Sequence, residues 1–145
     1  MSQPAVEVVR HDRIILAAQP DLAALDAWAD AGAKALVNSR TPEETASLPF
    51  DLKAEVEARG LTYLELPIGG SYGASPALAG QLAELLDSTE GDVVMHCKSG
   101  TRSAHLYGAL LLSRDASIAN VFDHIGWPGG RDPNMVAALM PGDGA

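Results

Sequence analysis

A chain of 145 residues with 47% hydrophobic side chains fits one domain, large enough to bury an ordinary core without a disulfide or metal staple. Nineteen acidic against ten basic residues give a formal charge of −9, which repels nucleic acid and anionic lipid over most of the surface, so neither is expected as a partner. The single cysteine, Cys97, excludes a disulfide framework within the chain and must be a packed thiol or a reactive one.

The N-terminus, "MSQPAVEVVRHDR", has no basic segment followed by an apolar one. The longest apolar run, "LYGALLL", is too short to cross a bilayer, and a cytoplasmic location is expected. "VEVV" and "DRIILAA" read as two strands. In "DLAALDAWADAG", Leu22, Leu25, Trp28 and Ala29 recur at helical spacing between a capping Asp21 and a stopping Gly32. "KALVNS" is the next strand. Thr41, Pro42 and Glu44 then form a capping-box signature for a short helix, and "DLKAEVEARG" is a second helix ending at Gly60.

"LTYLEL" reads as a strand, "PIGGSYGASP" as a flexible loop, and "PALAGQLAELLDS" as a helix opened by Ser75 and Pro76. "DVVMH" is the most apolar strand and "RSAHLYGALLLS" a helix apolar almost all round, as expected of central elements covered on both faces. Ile118, Val121, Phe122 and Ile125 suggest a further helix closed by "GWPGG", and Asp132 with Pro133 opens a last short one. No repeat or linker marks a boundary, so residues 1–145 are expected to form a single domain. The alternation of strands and helices predicts an α/β fold in three layers, a mostly parallel sheet with helices on both faces. Ligands of such folds bind beyond the carboxyl ends of the strands, where Cys97 falls.

The stretch "VVMHCKSGTRS" runs from a strand through Cys97 into a helix. A loop of this kind turns backbone N–H groups inward, and the helix terminus adds about half a positive charge, so Lys98 to Arg102 should form an anion nest with Gly100 permitting the tight turn. Such donors, with Lys98 and Arg102, should hold Cys97 as a thiolate nucleophile. Ser103 could add a hydroxyl donor. Packing as an inert buried thiol is the competing reading.

A cysteine at a strand end, a short loop and an arginine opening a helix resemble the site shared by rhodanese sulfurtransferases and cysteine-dependent protein phosphatases. More specifically, "AAQPDLAALDAWADAGAKALVNSRTPEE", "LELPIGG" and "HCKSGTRS" resemble the beta-lactamase-hydrolase-like family over about residues 6 to 112, with Gln19, Pro20, Asn38 and Arg40 also matching its pattern. The resemblance implies a phosphatase/rhodanese-like fold. It implies Cys97 and Arg102 as catalytic residues and Lys98, Ser99, Gly100, Thr101, Ser103 and Arg40 as substrate-binding ones.

In the groups it resembles, phosphatases place five residues between cysteine and arginine and rhodaneses usually four. "C-KSGT-R" has four. A cysteine phosphatase also needs a carboxylic acid, usually an Asp on a neighbouring loop, to protonate the leaving oxygen. "PIGGSYGASP" contains none, Asp51, Asp87 and Asp92 fall at element starts, and Glu65 lies within a strand. Transfer of sulfane sulfur from thiosulfate or a persulfide, through a Cys97 persulfide, to a thiol or cyanide acceptor is therefore expected ahead of phosphatase chemistry. A non-catalytic anion-binding or sulfur-relay module is the third reading, and a persulfide-metabolising protein would be its natural partner.

His96 should point away from Cys97 by strand alternation and fix the loop. Neither His105 nor His124 forms a metal-ligand spacing with Cys97, so no metal and no cofactor are expected. Arg40 either borders the site or pairs with Glu43 or Glu44. Ser71 and Tyr72 should line the pocket, and "GWPGGR" should be a turn.

Overall fold

The structure is a computed structural model that describes residues 5–69 and 73–140. Five strands form one sheet in the order β1-β2-β5-β3-β4, comprising β1 (Glu7–His11), β2 (Ile14–Ala17), β3 (Ala35–Asn38), β4 (Thr62–Glu65) and β5 (Val93–His96). β1 and β2 form an antiparallel hairpin around Asp12, whose φ of 52 lies in the left-handed region that Asp tolerates better than most side chains. The pairs β2–β5, β5–β3 and β3–β4 are all parallel, so the sheet is mostly parallel as its alternating pattern predicts. β2, β3 and β5 are buried along their whole length, whereas the edge strand β1 alternates in exposure and β4 is exposed at both ends.

Strand alternation sends side chains into two cores. Ile14, Leu16, Val37, Val93 and Met95 pack beneath α4 (Pro76–Ser88), α5 (Thr101–Arg114), α6 (Val121–Ile125) and α7 (Pro133–Leu139). Ile15, Leu36 and Val94 face the other way, against α1 (Leu22–Asp30) and α3 (Leu52–Ala58). The result is the three-layer α/β arrangement expected. Local caps start these helices: Asp21 accepts from Ala24 N, Asp51 from Ala54 N, and Ser75 from Ala77 N. α2 (Pro42–Ala46) carries the full capping box between Thr41 and Glu44.

Two boundaries differ from the sequence expectation. α6 starts at Val121 rather than at Ile118, because the Asn120 side chain accepts from both Phe122 N and Asp123 N and caps the helix there. α5 starts at Thr101, one residue before Arg102, with Gly100 as its N-cap. Residues Ser103 to Leu110 of α5 are all buried, in keeping with a central helix. Among the described residues no helix is long and apolar enough to cross a membrane.

Candidate active site

Cys97 is the first residue after the central strand β5 and is only 1% exposed. Neighbouring strand exits hold its loop in place. Gln19 N donates to the Lys98 carbonyl at 3.1 Å on the β2 side, and Ser39 N donates to the His96 carbonyl at 2.9 Å on the β3 side. Gly100 N–H donates to Cys97 Sγ at 3.1 Å, a contact that stabilises negative charge on sulfur. The first-turn N–H groups of α5, from Thr101 to Ser103, have no intrahelical acceptor and stand at the positive end of a 14-residue helix.

Gly100 is required twice over. Its φ of 94 is in the left-handed region, and a Cβ there would lie 2.9 Å from the Trp127 ring and 3.3 Å from the Ala17 carbonyl oxygen. Trp127 is itself buried, and its Nε1 donates to the Gly130 carbonyl at 3.0 Å. The "GWPGGR" segment is thus a turn, as expected, and also the wall against which the cysteine loop is packed. His105 reinforces it: its Nδ1–H donates to the Thr101 carbonyl at 2.7 Å and its Nε2 accepts from Asp132 N–H at 2.7 Å. Those two bonds assign the ring hydrogen to Nδ1 and tie the first turn of α5 to the start of α7.

Arg102 reaches across the site to Glu44. Its Nη1 donates to Oε1 at 2.7 Å and its Nη2 to Oε2 at 2.9 Å, a bidentate pair, while Nη1 also donates to the Ile68 carbonyl at 3.0 Å. Glu44 Oε1 accepts from Thr41 N and Thr41 Oγ1 as well. Arg102 above all, then the Thr41 backbone N–H, hold the Glu44 carboxyl well below the usual carboxylate range. Arg40 comes to the same carboxylate, with Nε 3.4 Å from Oε2, and its Nη1 donates to Gln19 Oε1 at 2.9 Å. Both alternatives for Arg40 therefore meet in one residue, which pairs with Glu44 and also borders the cysteine loop through Gln19. Glu44 was legible in the sequence only as a cap and a partner for Arg40. Its bond to Arg102, 58 positions away, has no local signature.

The remaining expected site residues fall into two groups. Lys98 and Ser99 are exposed at the rim, and Ser99 Oγ lies 3.1 Å from Thr101 Oγ1. Ser103 is fully buried, and its hydroxyl makes no hydrogen bond among the described residues, so the donor expected there is not engaged with Cys97. His96 behaves as strand alternation predicts: it lies on the α1/α3 side of the sheet and its Nδ1–H donates to the Cys97 carbonyl at 3.3 Å. Burial pushes its pKa down to about 4, so it is neutral at physiological pH. Ser71 and Tyr72 lie outside the described residues. Among those described, no group of three His, Cys, Asp or Glu side chains is arranged to hold a metal ion.

The model of the beta-lactamase hydrolase-like protein, phosphatase-like domain, matches residues 8–113. The chain belongs to this family. Beta-lactamase hydrolase-like proteins of Xylella fastidiosa and Agrobacterium fabrum are 34% identical over 100 residues and 29% identical over 99, each match covering 67% of this chain. The chain spans only about a quarter of those relatives, 23% of their length. Solved structures share the fold at low identity. A Neisseria meningitidis protein provisionally described as a phosphatase superposes with a TM-score of 0.72 at 19% identity, covering 94% of this chain and 96% of its own. A DUF442 protein from Shewanella putrefaciens gives 0.74 at 16%, covering 93% and 90%, and PTPMT1 in complex with PI(5)P gives 0.70 at 20%, covering 87% and 86%.

The expectation of a beta-lactamase-hydrolase-like member with a phosphatase-type fold holds. For the chemistry, the phosphatase alternative is better supported than the sulfur transfer that loop length put first, because the family is described as phosphatase-like.

Proposed function

We propose that the chain is a cysteine-dependent phosphohydrolase. The observation that carries this reading is a buried thiol that accepts from Gly100 N–H at the N-terminus of α5, with Arg102 on the first turn, in a family described as phosphatase-like. The Cys97 thiolate attacks phosphorus as the bond to the leaving oxygen breaks, giving a phosphocysteine. The α5 N–H groups and Arg102 stabilise charge on the phosphoryl oxygens. Water then attacks phosphorus, the P–S bond breaks, inorganic phosphate leaves and the thiolate is restored. Glu44 holds the Arg102 guanidinium by its two Nη atoms, which leaves Nε for the substrate.

Hydrolysis of para-nitrophenyl phosphate should be lost in Cys97→Ser and fall by about tenfold or more in Arg102→Lys, because lysine has no planar fork. A wild-type protein inert toward every phosphate ester sinks this reading.

One specific observation favours a second reading. Four residues separate Cys97 from Arg102, a tight cradle suited to a single terminal sulfur. In that chemistry Cys97 takes the outer sulfur of thiosulfate, sulfite departs, and a small thiol or a partner protein's cysteine accepts the sulfur. Mass spectrometry separates the two, since added sulfur and added phosphate on Cys97 differ in mass. A protein that gains neither yet binds sulfate is an anion-binding module.

A further inference from the structure

A cysteine phosphatase transfers the phosphoryl group only as fast as the leaving oxygen can depart, and alkoxides depart slowly unless an acid protonates them in the transition state. The carboxylates among the described residues decide whether such an acid stands at the site. The segment after β4, residues 66–83, contains no Asp or Glu in its sequence. Glu44, the carboxylate seated on Arg102, is held ionised by that guanidinium and by Thr41, so it has no proton to give at neutral pH.

Among the described residues, the other carboxylates near the carboxyl edge of the sheet have different work or face solvent: Glu43 is exposed on α2, and Asp51 caps α3 through Ala54 N. Asp21 caps α1 through Ala24 N, Asp132 caps α7 through Asn134 N and Met135 N, and Glu65 accepts from Tyr63 OH on the outer strand. The histidines are no better placed. His96 is buried, neutral and bonded to the Cys97 carbonyl, and both nitrogens of His105 are occupied by backbone groups.

Resting on the phosphohydrolase reading above, we propose that this site acts on phosphates whose leaving group departs as a stable anion, such as aryl and acyl phosphates, and not on alkyl phosphates such as phosphoserine. The step balances without an acid: Cys97 sulfur bonds to phosphorus, the P–O bond breaks with both electrons on the departing oxygen, and that oxygen takes a proton from bulk water only afterwards if at all. The anion nest supplies what such a reaction needs, because it stabilises phosphoryl oxygens and makes no demand on the leaving group.

The test is kcat/KM across a series of ring-substituted phenyl phosphates, with acetyl phosphate and phosphoserine at the extremes and Cys97→Ser as the blank. We expect a severalfold fall for each unit by which the phenol pKa rises, acetyl phosphate among the good substrates, and phosphoserine at the blank. A nearly flat series, changing less than about twofold per unit, overturns the inference and leaves the phosphohydrolase reading standing, since some group is then protonating the leaving oxygen. A series that steepens in Lys98→Ala overturns it in the same way, because the rim ammonium would then be the acid. No turnover of any member removes the phosphohydrolase reading and the inference with it.

Discussion

The two ends of the sheet are built on opposite principles. At the amino edge, polar groups close on one another: Arg13 donates to the backbone carbonyls of Leu86 and Thr89, and Arg10 pairs with Glu7 at 2.9 Å and with Asp92 at 3.7 Å. At the carboxyl edge several groups stay open. Ser39 Oγ, His96 Nε2 and Ser103 Oγ are buried without a partner, the only such side-chain atoms among the described residues, and all three flank the cysteine loop. Two guanidinium groups share the single carboxylate of Glu44, and Gly100 sits at positive φ against Trp127. Unsatisfied buried polar atoms cost stability, and among the described residues all three lie at the edge that carries the cysteine loop.

Glycines at the two edges offer the strongest way to break that contrast. Gly100→Ala combines a left-handed backbone with contacts to a buried ring and a backbone carbonyl, neither of which can yield cheaply. We expect about 2–4 kcal/mol of destabilisation in urea unfolding, together with a changed rate of Cys97 alkylation. Gly91→Ala also carries a positive φ, of 114, and its Cβ would lie 2.7 Å from Lys34 Cγ, a contact that a change of the Lys34 rotamer relieves without moving a buried ring or a backbone carbonyl. It should cost about 1–2 kcal/mol and leave Cys97 alkylation as in wild type. Equal losses in the two variants, or equal alkylation, would erase the distinction between the edges.

Next in size is the pH dependence carried by His96. Its folded pKa, about 4, lies below the unfolded value near 6.5, so the unfolded chain binds the extra proton first and the native state loses stability as pH falls from about 6.5 to 4. The loss is up to about 3 kcal/mol. Stability of His96→Asn, followed by urea midpoint against pH, should lack this component. Parallel curves for the variant and wild type would mean that the buried imidazole is not the titrating group.

Glu44→Gln should cost about 2 kcal/mol at neutral pH, because it leaves Arg102 and Arg40 partly buried beside each other without their shared anion. Glu44 has a depressed folded pKa, so its contribution is complete above about pH 4.3 and fades as pH falls below that value. The gap between wild type and variant should narrow in acid, and a gap that widens there would contradict the ion-pair assignment. The smallest effect belongs to the amino edge. Asp92→Asn removes a pair that is 3.7 Å long with both side chains 37% exposed, and a change above about 0.5 kcal/mol would show that this edge is less relaxed than its geometry indicates.

Much of the molecule was legible before folding because its signals act over a few residues. Asp21, the Thr41-Pro42-Glu44 box, Ser75-Pro76 and Asp132-Pro133 each start a helix where expected, since a cap needs only N–H groups two or three positions away. The apolar runs became buried strands, and the cysteine turn sits at a strand exit, because periodicity and glycine placement are also local properties. Loop length was legible too, and it favoured sulfur transfer while the family description favours the phosphatase alternative: spacing along the chain is one feature of a cradle, whereas a family match draws on most of the chain.

Sequence by itself determined the elements, the thiol at the end of the central strand and the arginine one turn away. Only tertiary structure decided which distant groups complete the site. Glu44 satisfied its capping box without reference to Arg102, and Trp127 read as part of a turn until Gly100 was packed against it. Each of those contacts joins segments far apart in the chain. It exists because β5 inserts between β2 and β3, carrying the cysteine loop to the Ser39 exit and the α5 terminus to the Trp127 turn. Sheet order is set by the summed burial of two apolar faces, a property of the whole domain that no short stretch encodes.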